Sequence, residues 1–266
     1  KKSSDTRNIM KDVIKSKNRL EKIGKKSLKL LRDYDVDDSD IYIFVSNDKD
    51  LNEYKEKYSN CNIIKGDEGI VGIDNFIVDY FDEGEEYIYM NDDIDSIYSL
   101  DENDKKKKLD TNEFKYLVLK FFSEMRVANA TYGGVYPCDN SLFMSNQDEI
   151  TYDLSIIIDG FSACINNKKI KLNRYGKHQD NWLSDYEKSI LHFIDRGITI
   201  RLNHYCFKGE FFGKGISERN KENHKINADE MLAKYPQYIS SVKTKSGGWN
   251  SLRFKKIKTL NLFFGG

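Results

Sequence analysis

Apolar positions in the first hundred residues alternate between two rhythms. The run "IYIFVSND" (41–48) is continuously β-branched and aromatic and then breaks into polar residues, as a buried parallel strand does. "IMKDVIK" (9–15), "CNIIKG" (61–66) and "EEYIYMNDD" (85–93) read the same way. Between them, apolar residues recur at helical spacing. "LEKIGKKSLKLLRDY" (20–34) places Leu20, Ile23, Leu28, Leu30 and Leu31 on one face, and "DLNEYKEKY" (50–58) and "GIVGIDNFIVDYF" (69–81) follow the same period. Four strands thus alternate with three helices, which predicts a parallel sheet with helices on its faces. Ligands of such sheets gather at the carboxyl ends of the strands. "SKNR", "SND", "KGDEG" and "NDDID" all fall there.

The second half has mixed rhythms. "DENDKKKKLD" (101–110) reads as a solvated charge run. "TNEFKYLVLKFFSEMRVANA" (111–130) predicts a long helix, and strands are expected at "LFM" (142–144), "SIIIDGFSACI" (155–165) and "ITIRLNHYCFKG" (198–209). "DYEKSILHFIDRG" (185–197) predicts a helix capped by Asp185 and ended by Gly197. A further helix is expected over 227–239, stopped near Pro236. The segment 242–259 is basic, with Trp249 and Phe254 interleaved.

Composition narrows the classes. With 266 residues the chain is long enough for one large α/β domain. Its 43 basic residues cancel its 43 acidic ones, so any nucleic-acid contact must come from a local patch. No apolar run approaches a membrane span and no signal-peptide core is visible, so an intracellular protein without membrane contact is expected. Cys61, Cys138, Cys164 and Cys206 form no CxxC pair and read as buried thiols.

The densest chemistry is "NDD" at 91–93, with Asp95 close behind. Carboxylates crowded at a strand end repel one another unless solvent, an arginine or a metal lies between them. A solvated acidic turn explains them simply. The alternative is a divalent cation, because Mg²⁺ or Mn²⁺ takes one or two carboxylates and completes its shell with substrate phosphates.

The ordered set "SKNR", "IFVSND", "KGDEGIVGIDNFIVDYF" and "YMNDD" resembles the nucleotide-binding half of a GT-A glycosyltransferase with a DxD motif. More narrowly, with "NATYGGVYPCDNSLFM", "DLSIIIDGFSACI", "DYEKSILHFIDRGITIRLNHYCFKG" and "ADEMLAKYPQYI", it is similar to the glycosyltransferases associated with TET/JBP oxygenases. That group includes base J glucosyltransferase-like and phage DNA-modifying enzymes. The resemblance spans residues 9–256 and implies a single GT-A-like, Rossmann-type domain. Its mostly parallel sheet would be flanked by helices, with a nucleotide-sugar-binding half at 9–100 and a mixed acceptor-binding half at 111–259.

The resemblance implies roles for particular residues. Ser16, Asn18, Arg19 and Asn47 would hold the nucleotide. Gly69 and Gly72 would bring a helix start to the donor diphosphate, while Asp74 stands where relatives often carry a basic residue. Asn91 and Asp92 would meet ribose or metal, and Asp93 would bind Mn²⁺ or Mg²⁺. Asn91 departs from the acidic pattern, and Asp93–Ile94–Asp95 is the other register. His204 would be a second metal contact, or else a core histidine. Lys208 and Lys214 would reach phosphate. Asp185 would be the base of an inverting transfer, with Asp180 and Glu187 as rivals. Tyr132, Gly133, Gly134 and Trp182 would line the acceptor site.

The implied activity is transfer of a sugar, glucose first, from a UDP-sugar to a hydroxymethylated pyrimidine in DNA. The basic 242–258 segment would track phosphates and stack on bases. A nucleotidyltransferase, or an inactive nucleic-acid-binding module, would use the same clustered carboxylates and basic patch differently.

Overall fold

The computed structural model describes residues 10–177, 179–209, 218–243 and 250–257. Its centre is a ten-stranded sheet in the order β3-β2-β1-β4-β9-β7-β10-β5-β6, with β8 paired to β10. The strands are β1 (Lys11–Lys15), β2 (Ile41–Val45), β3 (Asn62–Lys65), β4 (Glu86–Asn91), β5 (Ile94–Leu100), β6 (Lys106–Lys108), β7 (Tyr132–Tyr136), β8 (Ile150–Thr151), β9 (Phe161–Ile165) and β10 (Ile200–Gly209). β1 pairs in parallel with both β2 and β4, and β2 with β3. Beyond β4 the sheet is mixed: β9 runs against β4 and β7, and β5 runs against β10 and β6. Most strands share the direction of β1, which is the α/β architecture expected from the alternating pattern.

Helices α1 (Leu20–Lys25), α2 (Ser27–Asp33), α3 (Asp48–Lys57) and α4 (Ile70–Tyr80) connect the parallel strands. α5 (Thr111–Ala128), the short α6 (Ser141–Ser145) and α7 (Ser184–Arg196) serve the mixed half. α8 (Glu218–Lys234) and a separate hairpin of β11 (Ile239–Lys243) and β12 (Asn250–Phe254) close the chain. Adjacent residues on a strand face opposite sides. Ile14 accordingly joins Ile23, Leu28, Leu31, Phe114 and Phe121 under α1, α2 and α5. Val13 joins Ile73, Ile77, Phe81 and Tyr89 under α4. A third cluster joins Leu183 and Ile190 of the α7 region to Met231, Tyr235, Ile239 and Leu252.

Five local expectations are corrected. The 20–34 helix is two helices broken at Lys26 (φ −116°, ψ −100°). "LFM" is helical: Asn140 Oδ1 accepts from the Leu142 and Phe143 N–H groups, and only Met144 is buried. Only 161–165 of the 155–165 run is strand, because Ile157 leaves the sheet to pack over Gly134. Part of the lysine run is the edge strand β6, where exposed lysines keep the sheet edge from pairing with another chain. Finally, Phe254 of the basic segment packs on Tyr186 at 5.3 Å and Leu252 is buried, so the hairpin serves the core; Trp249 lies outside the described residues.

Chain order reverses between β1 and β4. From β1 the chain moves outward through β2 and β3, then returns to pair β4 on the other side of β1. Such a switch point opens a crevice outside the carboxyl ends of the two strands.

Candidate active site

A cleft of about 630 Å³ lies at that switch point. Lys15 to Arg19, following β1, form one wall; Asn91 and Asp92, ending β4, form the floor; Gly69, Ile70 and Ile73 of α4 with Asp180 and Trp182 form the other wall. The β1 loop is seated on α3. Asn18, at φ 55°, donates its N–H to Asp50 Oδ2 at 3.0 Å. The Arg19 N–H donates to Tyr54 Oη at 3.2 Å, and Ser16 Oγ shares a 2.8 Å hydrogen bond with that hydroxyl. Asn47 caps α3 by accepting from the Asp50 N–H and donates to the Asp50 carboxylate, so it supports the Asn18 turn from behind.

The crowded carboxylates have an answer in this geometry. β4 ends at Asn91, the chain turns through Asp92 and Asp93, and β5 begins at Ile94. Arg19 Nη1 lies 2.8 Å from Asp92 Oδ1 and 3.3 Å from Asp93 Oδ2. Ser16 Oγ donates to Asp92 Oδ2 at 2.6 Å, and Lys22 Nζ is 3.4 Å from Asp93. Burial and the Asp92 charge raise the Asp93 pKa, with Lys22 and Arg19 opposing. Asp95 points to Lys26 at 2.5 Å, and of these carboxylates only Asp92 lines the cleft, with Asp93 directly behind it.

Among the described residues, no three His, Cys, Asp or Glu side chains are grouped to hold a metal. Asp93 itself is paired with Arg19 and Lys22, so an ion held there would have to displace them and take most of its oxygen ligands from elsewhere, as a hard cation does from phosphate. His204 does not join Asp93. The β10 residue facing Asp93 is Gly209, whose Cβ position would lie 3.6 Å from Asp93 Oδ1. His204 sits five positions earlier, its Nε2 3.3 Å from the Gln147 carbonyl.

Gly69 precedes α4 with φ 83°, a conformation that favours glycine. The helix start it exposes is not open to solvent anions. Asp180 Oδ2 accepts from the Ile70 N–H at 3.2 Å and Oδ1 from the Val71 N–H at 3.1 Å. Asp180 also accepts from the Asn181 N–H at 3.0 Å, and its backbone pairs with Tyr175. Behind this turn the fully buried Glu187 accepts from the Asn173 N–H (2.9 Å), Asn173 Nδ2 (2.6 Å), Asn181 Nδ2 (2.7 Å), Tyr235 Oη (2.8 Å) and Tyr175 Oη. Glu187 is thus an anchor for the segment carrying Asp180 and Trp182.

Below the cleft lies a buried charge cluster. Lys15 Nζ is 3.0 Å from Asp74 and 3.6 Å from Asp159, while Lys188 Nζ is 2.7 Å from Asp159 and 3.9 Å from Asp74. Tyr89 and Tyr132 hydroxyls donate to Asp74 and Asp159. Burial works against the Asp159 carboxylate, but Lys188 and Lys15 outweigh it and hold its pKa below the ordinary value. Asp185 does not cap α7; its Oδ1 accepts from the Asp159 N–H at 3.1 Å. Burial and the Asp159 charge push the Asp185 carboxyl up to about 7, a value suited to a general base near neutral pH.

The cleft thus unites Ser16, Asn18, Arg19, Gly69, Asn91, Asp92 and Trp182. It does not include the remaining expected residues, among them Asn47, Asp93 and Asp185. Gly72 is buried on α4 against Asp67, and Lys208 is exposed on β10 opposite Ser96. Lys214 lies outside the described residues. Tyr132 is fully buried, a Cβ on Gly133 would meet Met125, and one on Gly134 would lie 2.4 Å from Ile157. These three are sheet-packing residues rather than an acceptor wall. Sequence reasoning missed Lys15, Asp50, Tyr54 and Lys188. Only Lys15 carried a signal, its place at the end of a strand beside "SKNR".

No protein-family model matches the chain, and no curated protein matches it in sequence. Among solved structures, it is similar to glucosyl-3-phosphoglycerate synthase from Mycobacterium tuberculosis in complex with Mn²⁺, UDP-glucose and phosphoglyceric acid. The TM-score is 0.49 at 9% identity, covering 94% of this chain and 88% of that one. The same synthase with Mn²⁺, UDP and glucosyl-3-phosphoglycerate gives a TM-score of 0.46 at 9% identity, with 94% and 88% covered. A mycobacterial protein gives 0.49 at 8% identity, with 94% and 85% covered. TM-scores below 0.5 at this identity carry no argument about this chain, and its chemistry is read from its own residues.

Proposed function

We propose that this chain is a metal-dependent glycosyltransferase of the GT-A type, related to the TET/JBP-associated group, that moves a sugar from a UDP-sugar to a hydroxyl acceptor. The observation that carries the reading is the cleft at the β1/β4 switch point, where the β1 loop and the β4 carboxylates meet. Ser16 and Asn18 suit the nucleoside, and Lys17 would supply positive charge for a diphosphate together with Lys15 and Arg19, which the diphosphate would have to draw from Asp74 and from Asp92 and Asp93. Asp93 would hold Mn²⁺ or Mg²⁺ together with that diphosphate, and such an ion would offset charge on a departing UDP.

In the transfer, the acceptor oxygen bonds to the anomeric carbon as the bond from that carbon to the UDP oxygen breaks. Asp185 is the candidate to take the acceptor's proton, giving inversion. Its pKa of about 7 leaves it part ionised at neutral pH, which a base requires. Glucose as the sugar and a hydroxymethylated pyrimidine in DNA as the acceptor follow from the family resemblance, and a base in DNA would have to be flipped out to reach the cleft.

The test offers several nucleotide sugars with Mn²⁺ and hydroxymethylated oligonucleotides to the full chain and reads product mass. A mass gain of one hexose with release of UDP supports the reading. Release of pyrophosphate would favour a nucleotidyltransferase. DNA retention with no turnover would favour a binding module.

A further inference from the structure

The two walls of the cleft differ in their side chains. The β1 wall carries Lys15, Lys17 and Arg19, with Lys15 paired to Asp74 and Arg19 to Asp92 and Asp93. The opposite wall presents Asp180 and Trp182, whose side chain is 38% exposed. A helix start with free N–H groups ordinarily attracts phosphate. Here Asp180 already accepts from the Ile70 and Val71 N–H groups.

The segment bearing Asp180 is fastened rather than loose. Tyr175 and Asp180 exchange backbone hydrogen bonds at 3.0 and 3.3 Å. Buried Asn181 donates to Glu187, and the Trp182 N–H donates to Asn227 Oδ1 at 2.7 Å. The α4 start is therefore closed to a diphosphate, which leaves it the β1 wall, where it would compete with Asp74 for Lys15 and with Asp92 and Asp93 for Arg19. Asp180 keeps acceptor capacity, since a carboxylate offers about four lone-pair sites and three are used. A fixed carboxylate beside an exposed indole matches a sugar ring, with hydroxyls on the acceptor and C–H faces on the aromatic.

We propose that Asp180 and Trp182 form the subsite for the transferred sugar, and that Asp180 selects a neutral, hydroxyl-bearing ring over an anionic one. This rests on the reading of the cleft as a UDP-sugar site. A uronic acid ring would bring a second carboxylate against Asp180, and the two would repel.

The test is calorimetric titration of the full chain, with Mn²⁺, against UDP, UDP-glucose and UDP-glucuronic acid. Wild type should bind UDP-glucose about tenfold or more tightly than UDP-glucuronic acid, the scale of one hydrogen bond to a charged group. Asp180→Asn should bring the two sugars within roughly threefold and leave UDP within roughly threefold of wild type. Trp182→Ala, at an exposed side chain, should weaken UDP-glucose but not UDP, and it carries the test should the Asn variant not fold. Equal affinity of wild type for both sugars would overturn the proposal while leaving the UDP-sugar reading intact. So would a loss of UDP affinity in Asp180→Asn as large as the loss of UDP-glucose affinity. Absence of UDP binding by wild type would overturn both.

Discussion

Replacing Glu187 by glutamine separates an anchoring role from a chemical one. The carboxylate is fully buried and accepts five hydrogen bonds, three on Oε1 from Asn173 Nδ2, Tyr175 and Tyr235, and two on Oε2 from the Asn173 N–H and Asn181 Nδ2. A glutamine can put its NH₂ at the Oε1 end, where the Tyr175 and Tyr235 hydroxyls can turn to accept from it, but Asn173 Nδ2 then loses its acceptor. One buried donor left without an acceptor costs about 1–3 kcal/mol, which the variant should lose. That is a sizeable part of the 5–15 kcal/mol typical of a folded chain. At about 2–4 °C per kcal/mol for a chain near this length, Tm should fall by roughly 2–12 °C in a calorimetric scan. UDP-glucose binding should weaken together with it, because the segment carrying Asp180 and Trp182 loses its rear attachment. A Tm within about 2 °C of wild type together with a collapse of turnover would refute this reasoning and make Glu187 the catalytic base.

Five further outcomes are expected. If Asp185 is the base, turnover rises with pH through about 7, and Asp185→Asn removes the rise; a flat wild-type profile would dismiss the role. The same raised pKa means wild type loses stability as pH climbs from the ordinary carboxylate value through about 7. Asp185→Asn should therefore gain on wild type over that interval, by at most about 1.4 kcal/mol per pH unit in urea unfolding. Asp12 is buried without a hydrogen-bond partner, and burial with the Asp40 charge raises its pKa well above the ordinary value. Asp12→Asn should accordingly overtake wild type in stability as pH rises above about 4, and a pH-independent difference would contradict this. Gly160→Ala would place a Cβ 1.9 Å from Phe207 Cζ, so it should cost about 1–3 kcal/mol by thermal unfolding and be partly relieved by Phe207→Leu. Mn²⁺ alone should give no saturable heat, whereas Mn²⁺ with UDP should; tight binding of the bare ion would point to ligands beyond Asp93.

The parallel half of the fold was legible because its strands are buried on both faces and its helices keep a helical period. Ile41–Val45 and Ile70–Tyr80 could be read almost to the residue. β5 was missed because the chain reverses through Asp92 and Asp93 alone, which leaves no turn segment to read. Leu142 and Phe143 misled as a strand because most of their surface is exposed, so their apolarity reports no sheet. The β1 loop and the β4 carboxylates were legible as polar residues at strand ends. His204 was not, since its distance from Asp93 depends on the register of β10 against β5, a pairing between residues about a hundred positions apart. Tyr132, Gly133 and Gly134 resembled an acceptor wall, but small residues in a strand equally admit the close approach of Ile157 and Met125. Asp180 and Glu187 were distinguishable only through their partners, one on the start of α4 and the other among five donors.

The most direct measurement is diffraction from crystals grown with UDP and Mn²⁺, with anomalous data at the manganese edge. The account predicts an anomalous peak beside Asp93, bridged to a diphosphate on the Lys15, Lys17 and Arg19 wall, with the nucleoside against Ser16 and Asn18. Nucleotide bound elsewhere, or manganese bound away from Asp93, would contradict it.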